Sequence, residues 1–259
     1  MQPILFRWGD LVIPSYVAML ALGAAVLFWV TTATAERHSL YRGHMALLLT
    51  AAYLTGLIGA RILFVLEHYS LYANPMEAFL SPIPGGLASY GGLLSGCLVA
   101  VAYSMLFRLP LGKVVDSAAI GLCLFGVSAR LGCFLAGCCY GRPTGLPWAV
   151  LYPPNADAAA RWGGGVPIHP APLYEAGYLL GIAALLPFAE KRFRFPGGKF
   201  LCLVAAYSAA RFLNELVRGD SLLRFWSLTP PQWISLALLA AALGFLAWRR
   251  RFVMIAASG

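Results

Sequence analysis

Seven stretches of the chain, roughly 15–34, 45–66, 87–107, 115–136, 171–188, 198–216 and 231–248, are nearly continuous runs of apolar residues. A helix needs about 20 residues to cross a hydrocarbon core about 30 Å thick, so each run predicts a membrane-spanning helix. No segment is left over for a soluble domain. The pattern predicts an all-α polytopic membrane protein, with residues 1–259 forming a single transmembrane domain of seven spans. Two connections are of a different kind: 68–86 contains Pro75, Pro82 and Pro84, and 137–170 contains six prolines and the run Gly163-Gly164-Gly165. Such density of proline and glycine prevents long helices and favours ordered loops or short interfacial helices. Trp148, Trp162 and Trp226 suit the headgroup layer.

Composition agrees with lipid as the solvent. The 259 residues are 60% hydrophobic and 11% charged, with a mean hydropathy of +0.75, more apolar surface than a soluble core of this size buries. The formal charge of +9 raises nucleic acid as a partner, but the positions of the basic residues speak for topology. Arg37, Arg42, Arg108, Lys113, Lys191, Arg192, Arg194, Lys199 and Arg249-Arg250-Arg251 all fall in one alternating set of connections, eleven in total. The other set holds only Arg7, Arg142, Arg161, Arg218 and Arg224. By the positive-inside rule the richer side is cytoplasmic, which predicts an N-terminus outside, a C-terminus in the cytoplasm, both irregular segments on the outer side, and no nucleic acid partner. A cleaved signal peptide ending near Ala33-Thr34-Ala35 is the rival reading of residues 1–35. The span-length apolar run and the following Glu36-Arg37-His38 and Arg42 read better as a retained first helix with a cytoplasmic stop.

Chemistry is sought among residues that lipid disfavours. An ionisable group within a span is a functional hypothesis by default, and Arg61, Arg130 and Arg211 all lie at or within spans. Arg211 precedes Glu215 by four residues, which sets both on one helix face where they can pair. The bland reading of any one of them is a structural ion pair or a snorkelling side chain; three together point further. A guanidinium offers a planar set of donors and keeps its charge, which suits phosphate, so the arginines suggest a cavity for an anionic lipid headgroup. Tyr90-Gly91-Gly92 and the string from Gly132 to Gly141 would let backbone approach backbone or ligand, although helix packing alone also explains such glycines. Of six cysteines, Cys97, Cys123 and Cys202 lie in apolar runs as ordinary packing, while Cys133, Cys138 and Cys139 cluster.

In order along the chain, these residues resemble the prolipoprotein diacylglyceryl transferase family. The string Ala129-Arg130-Leu131-Gly132-Cys133-Phe134-Leu135-Ala136-Gly137-Cys138-Cys139-Tyr140-Gly141-Arg142-Pro143-Thr144 resembles the family signature GRxGNFxNGExxGRxT. Val12 to Tyr16, Gly59-Ala60-Arg61-Ile62, Ser89 to Leu93, and Ile168-His169-Pro170-Ala171-Pro172-Leu173-Tyr174-Glu175 are similar to other segments of the family. So are Ala210 to Glu215 with Arg218 and Asp220, and Gln232. The resemblance implies a seven-span, multi-pass enzyme of the bacterial inner membrane. Such an enzyme moves the diacylglyceryl group of phosphatidylglycerol to the lipobox cysteine of a prolipoprotein and needs no cofactor. Its partners would be the anionic phospholipid and prolipoprotein signal peptides. Arg130 and Arg211 would bind phosphate and stabilise the leaving group, and Tyr16 and Glu215 match other functional positions. Arg61, Gly91, Gly92, Gly141, Arg142, His169 and Arg218 would join Arg130 and Arg211 around the phospholipid.

Three positions depart from the family pattern. Tyr90 replaces a histidine proposed as the base, and a phenol is a poor base at neutral pH. Cys133 replaces an asparagine and Cys138 a glutamate. The three cysteines therefore enter the candidate catalytic set, and they open a second reading in which Cys133, Cys138 and Cys139 hold a soft metal, with His169 as a further candidate ligand, or act in thiol or redox chemistry on another lipid or acceptor. Against a metal, Cys-x4-Cys-Cys is not a usual zinc spacing and adjacent cysteines rarely share one ion, so no metal site is expected. A non-catalytic lipid-binding role is the third reading, and retention of Arg130, Arg211, Glu215 and His169 speaks against it.

Overall fold

The computed structural model describes residues 1–9, 11–68, 88–220 and 225–258; the expected outer segment 68–86 lies, apart from His68, outside them. Each apolar run folds as a helix: α1 (Ser15–Ala35), α2 (Arg42–Glu67), α3 (Ser89–Leu106), α4 (Leu111–Ala136), α6 (Ala171–Arg192), α7 (Gly198–Asn214) and α8 (Pro230–Ser258), with the short α5 (Asp157–Trp162) between α4 and α6. Among the described residues five helical segments, Ser15–His38, Arg42–Glu67, Leu111–Ala136, Ala171–Arg192 and Pro230–Arg249, are long and apolar enough to cross a membrane, and Tyr90–Leu106 is a shorter apolar helix. In α3, Leu93, Leu94 and Leu98 are 66%, 65% and 61% exposed. Outward apolar faces of this kind belong to a helical, multi-pass membrane protein.

Helix ends follow local backbone chemistry. The 3₁₀ turn Glu36–His38 stops at Ser39, whose φ of 59° lets Leu40 N donate to Ala35 O at 3.0 Å. Gly197, with φ of 92°, starts α7 in a conformation that only glycine adopts at low cost. Among the described residues, two small sheets were not expected from the apolar pattern: β1 (Ile4–Trp8) with β2 (Leu11–Pro14), and β3 (Val150–Leu151) with β4 (Pro167–Ile168). The 137–170 segment is thus an ordered loop carrying α5 and a strand pair.

The chain divides into two compact units. One comprises Thr31–Ser117, in which α2 packs along α3. Gly59 faces Gly91 there, and a Cβ on Gly91 would strike Gly59 O and lie 2.7 Å from Leu63 Cβ. Ser95 Oγ bridges the crossing, donating to Gly91 O at 2.7 Å or to Thr55 O at 3.1 Å. Ala35, Leu40, Met45, Leu48 and Val114 form its buried core.

The other unit comprises Met1–Val30 and Ala118–Gly259. Ala119, Cys123, Leu179, Ile182, Leu186 and Leu203 knit α4, α6 and α7 together. Lys199 Nζ, at 3.1 Å from Glu190, ties the start of α7 to the end of α6. Ser128 Oγ donates to Met19 O at 2.6 Å, so α4 lies against α1, and the bare Cα of Gly132 leaves room for Tyr16. A Cβ there would sit 3.2 Å from the Tyr16 ring and 3.1 Å from Met19 Cβ.

Candidate active site

The second unit gathers most of the polar residues that the apolar helices carry. Arg130, near the end of α4, points its Nε at Glu175 Oε1 from 3.0 Å. Glu175 is in the second turn of α6 and only 1% exposed. A carboxylate this deep must fill its acceptor sites. Tyr207 OH donates to the same oxygen at 2.9 Å, and Asn214 Nδ2 reaches the other at 3.4 Å. Glu175 therefore orients Arg130, whose Nη1 faces Cys139 Sγ at 3.7 Å and Cys133 Sγ at 3.9 Å. Sulfur is a weak acceptor, so this edge of the guanidinium can exchange it for an anionic oxygen with a gain in charge-assisted hydrogen bonding.

A second group forms where α7 ends. Arg211 and Glu215 pair across one helical turn, and Thr229 Oγ1 donates to Glu215 Oε1 at 3.0 Å. Gln232 Oε1 accepts from Thr229 N at 3.0 Å and so fixes the start of α8 beside it. Arg218 Nε lies 3.7 Å from Glu215 and donates to Asp220 Oδ1 at 2.9 Å. Burial pushes the Asp220 carboxyl up while the Arg218 guanidinium pulls it down, and the rise prevails. Arg130, Arg211 and Arg218 thus stand against Glu175, Glu215 and Asp220, a set of buried and half-buried charges that is neutral in sum.

The loop after α4 stitches these groups together through its backbone. Gly141 N donates to His169 O at 3.1 Å, His169 N to Arg142 O at 3.0 Å, and Arg142 N to Val217 O at 2.8 Å. Arg142 Nε also donates to Arg218 O at 3.0 Å. Three chain segments meet here because Gly141 has no side chain: a Cβ would lie 2.5 Å from His169 Cβ and 2.9 Å from Val217 O. His169 Nδ1 is 3.0 Å from Tyr174 OH, which accepts from Trp148 Nε1 at 2.8 Å. Burial lowers the pKa of His169.

Cys133 lies on the last turn of α4 and Cys138 and Cys139 just beyond it; their sulfurs are all within 4.8 Å of one another, and none is in a disulfide. Cys138 Sγ faces Cys133 O at 3.6 Å.

The structure therefore places Tyr16, Arg130, Cys133, Cys138, Cys139, Gly141, Arg142, His169, Arg211, Glu215 and Arg218 in one unit. Arg61, Tyr90, Gly91 and Gly92 lie in the other. There the Arg61 guanidinium stands 5.7 Å from the Phe64 ring centroid, Tyr90 is 56% exposed, and the two glycines serve the crossing of α2 and α3. Sequence reasoning singled out the arginines but left Glu175, Tyr207, Asn214 and Thr229 out of the site. Glu175 had the same signal as the arginines, an ionisable residue inside an apolar run. Tyr207, Arg211 and Asn214 are spaced i, i+4 and i+7, a polar stripe on one face of an otherwise apolar helix.

The fold and this site define a polytopic helical membrane protein with a buried network of arginines and carboxylates suited to an anionic ligand. Its sequence makes the class specific, because the family model for prolipoprotein diacylglyceryl transferase matches residues 3–248. The chain belongs to that family. It is 30% identical over 251 residues to the phosphatidylglycerol--prolipoprotein diacylglyceryl transferase of Dehalococcoides mccartyi (strain ATCC BAA-2266 / KCTC 15142 / 195), covering 96% of this chain and 94% of the relative. It is 32% identical to that of Bordetella bronchiseptica over 94% of this chain and 93% of the relative. Against that of Clostridium tetani it is 27% identical over 91% and 93%.

Proposed function

We propose that this chain transfers the diacylglyceryl group of phosphatidylglycerol to a thiol, the lipobox cysteine at the end of a prolipoprotein signal peptide. In the reaction the acceptor sulfur forms a bond to the glyceryl carbon, the bond from that carbon to a phosphate oxygen breaks, the thiol proton is released, and glycerol phosphate departs. Negative charge builds on the phosphate as the bond breaks, so donors fixed in advance around it lower the barrier. Arg130 and Arg211 are read as those donors, with Arg218 and Arg142 beside them and Glu175 and Glu215 as the groups that hold them in place. Tyr16, Gly141 and His169 border the headgroup, and Cys133, Cys138 and Cys139 form its wall.

The observation that carries the reading is the edge of Arg130 turned away from Glu175 toward sulfur, a cationic face with only weak partners in a family whose relatives are named for an anionic phospholipid. We further read residues 1–259 as one transmembrane domain of the bacterial inner membrane, crossing seven times with the N-terminus outside. The direct test incubates the purified full chain with labelled phosphatidylglycerol in mixed micelles and a lipobox peptide, and measures the thioether product and the released glycerol phosphate. Wild-type turnover, reduced about 10²-fold or more by Arg130→Ala and by Arg211→Ala, is the expected result. Absence of thioether product from the wild type, or unaltered rates in both variants, sinks the proposal.

A further inference from the structure

Transfer of a lipid between two substrates gives three clustered thiols on the enzyme no chemical task, yet the backbone is built to bring them together. Adjacent cysteines on ordinary extended or helical backbone send their side chains apart, which is the objection to their sharing one ion. Here the chain turns back past the end of α4. Gly137 N donates to Phe134 O at 3.2 Å and Cys138 N to Cys133 O at 3.1 Å; Gly137 has φ of 79° and Cys139 φ of 56°. The left-handed region is uncommon for a residue other than glycine, asparagine or aspartate, and at Cys139 its effect is that all three sulfurs fall within 4.8 Å of one another. Three thiolates bound to one ion at about 2.3 Å stand about 4 Å apart, so little closing is needed.

We propose that Cys133, Cys138 and Cys139 form a three-thiolate site for a soft monovalent cation, of which copper(I) is the type. Thiolates select soft ions, and zinc in a structural site asks for four ligands, whereas this cluster supplies three. Three thiolates around a cation of charge +1 carry a net charge of −2, and the Arg130 guanidinium, with Nη1 at 3.7 Å from Cys139 and 3.9 Å from Cys133, stands where it offsets part of that charge. On binding, bonds from sulfur to copper replace the bonds to hydrogen. The thiol protons go to solvent, and no electron is transferred because the copper arrives reduced.

The inference does not rest on transferase activity, and its test does not use it. The full chain, in detergent and under anaerobic reducing conditions, is titrated with copper(I) against a chromophoric copper(I) chelator, and the loaded protein is measured by X-ray absorption. One copper withdrawn per chain, with three sulfur neighbours at about 2.3 Å, is the expected result. Retention is lost in Cys138→Ser and in Cys139→Ser but kept when Cys97, Cys123 and Cys202 are all changed to serine. The helical circular dichroism of each variant guards against misfolding, and the absorption data on the unmodified chain stand independently of any variant. Failure of the wild type to compete with the chelator overturns the proposal. So does two-sulfur coordination, or equal retention after all three clustered cysteines are replaced.

Discussion

At the scale of single residues, the central object is a buried carboxylate that reacts with nothing. Glu175 accepts from Arg130, Tyr207 and Asn214, so its removal leaves a guanidinium without its fixed partner in a region poor in water. Breaking a buried pair from one side costs about 3 kcal/mol, and we expect Glu175→Ala to melt measurably lower than the parent in the same detergent. Glu175→Gln keeps the shape and one acceptor oxygen and is expected to melt between the two. The informative reading is kinetic: with Glu175→Gln the maximal rate of thioether formation falls while phospholipid concentration dependence changes little, because Arg130 is still present but no longer aimed. At Arg130 itself, lysine keeps the charge but lacks the fork that lets Nε hold Glu175 while Nη1 faces the cysteines. Arg130→Lys is therefore expected to recover little of the activity lost in Arg130→Ala; full recovery in the micelle assay contradicts a positioned guanidinium.

At the scale of elements, glycine decides two packings of different consequence. Gly91 lets α3 touch α2, and valine there would drive into Gly59 O and Leu63. Overpacking of this kind costs about 1–3 kcal/mol, so Gly91→Val should lower the melting temperature of the chain. Gly141 joins three segments that carry His169, Arg142 and Arg218. Gly141→Ala should reduce transfer much more than it reduces thermal stability, since it displaces the loop that frames the arginines while leaving the cores of α4, α6 and α7 intact; equal losses in both measurements argue against this. The two cases show what the chain made legible. Seven helices could be read because lipid demands unbroken apolar runs, and the arginines stood out against them. The hairpin of β1 and β2 could not, because four- and five-residue strands in an apolar chain lack a distinguishing period. Glycines at 91–92 and at 141 looked alike in sequence, and only the close approach of Gly59 O in one case and of His169 in the other separates their roles. The convergence of Cys138 and Cys139 depends on two left-handed residues, Gly137 and Cys139, a backbone property that spacing does not encode.

At the scale of the whole molecule, the distribution of charge makes a claim that helix geometry alone does not. Eleven lysines and arginines fall in one set of connections and five arginines in the other, and cationic connections stay in the cytoplasm. Under the proposed seven crossings, residues 137–170, and with them Gly141, Arg142 and His169, would lie on the outer side, open to a secreted acceptor. Reporter fusions decide the matter. Green fluorescent protein after the C-terminus should fluoresce, since it folds in the cytoplasm, while alkaline phosphatase inserted at Gly145, an exposed position where even a Cβ would meet nothing within 4 Å, should be active because it lies outside. The same phosphatase placed after Arg108, beside Lys113, should be inactive. An active phosphatase at both positions, or a dark C-terminal fusion in a protein that still inserts, breaks the seven-span arrangement. The outward access it gives the arginine site then falls with it, even if the site chemistry survives in detergent. Orientation and catalysis are thus separable: the fusion experiment tests where the site opens, and the Arg130 and Arg211 variants test what it does.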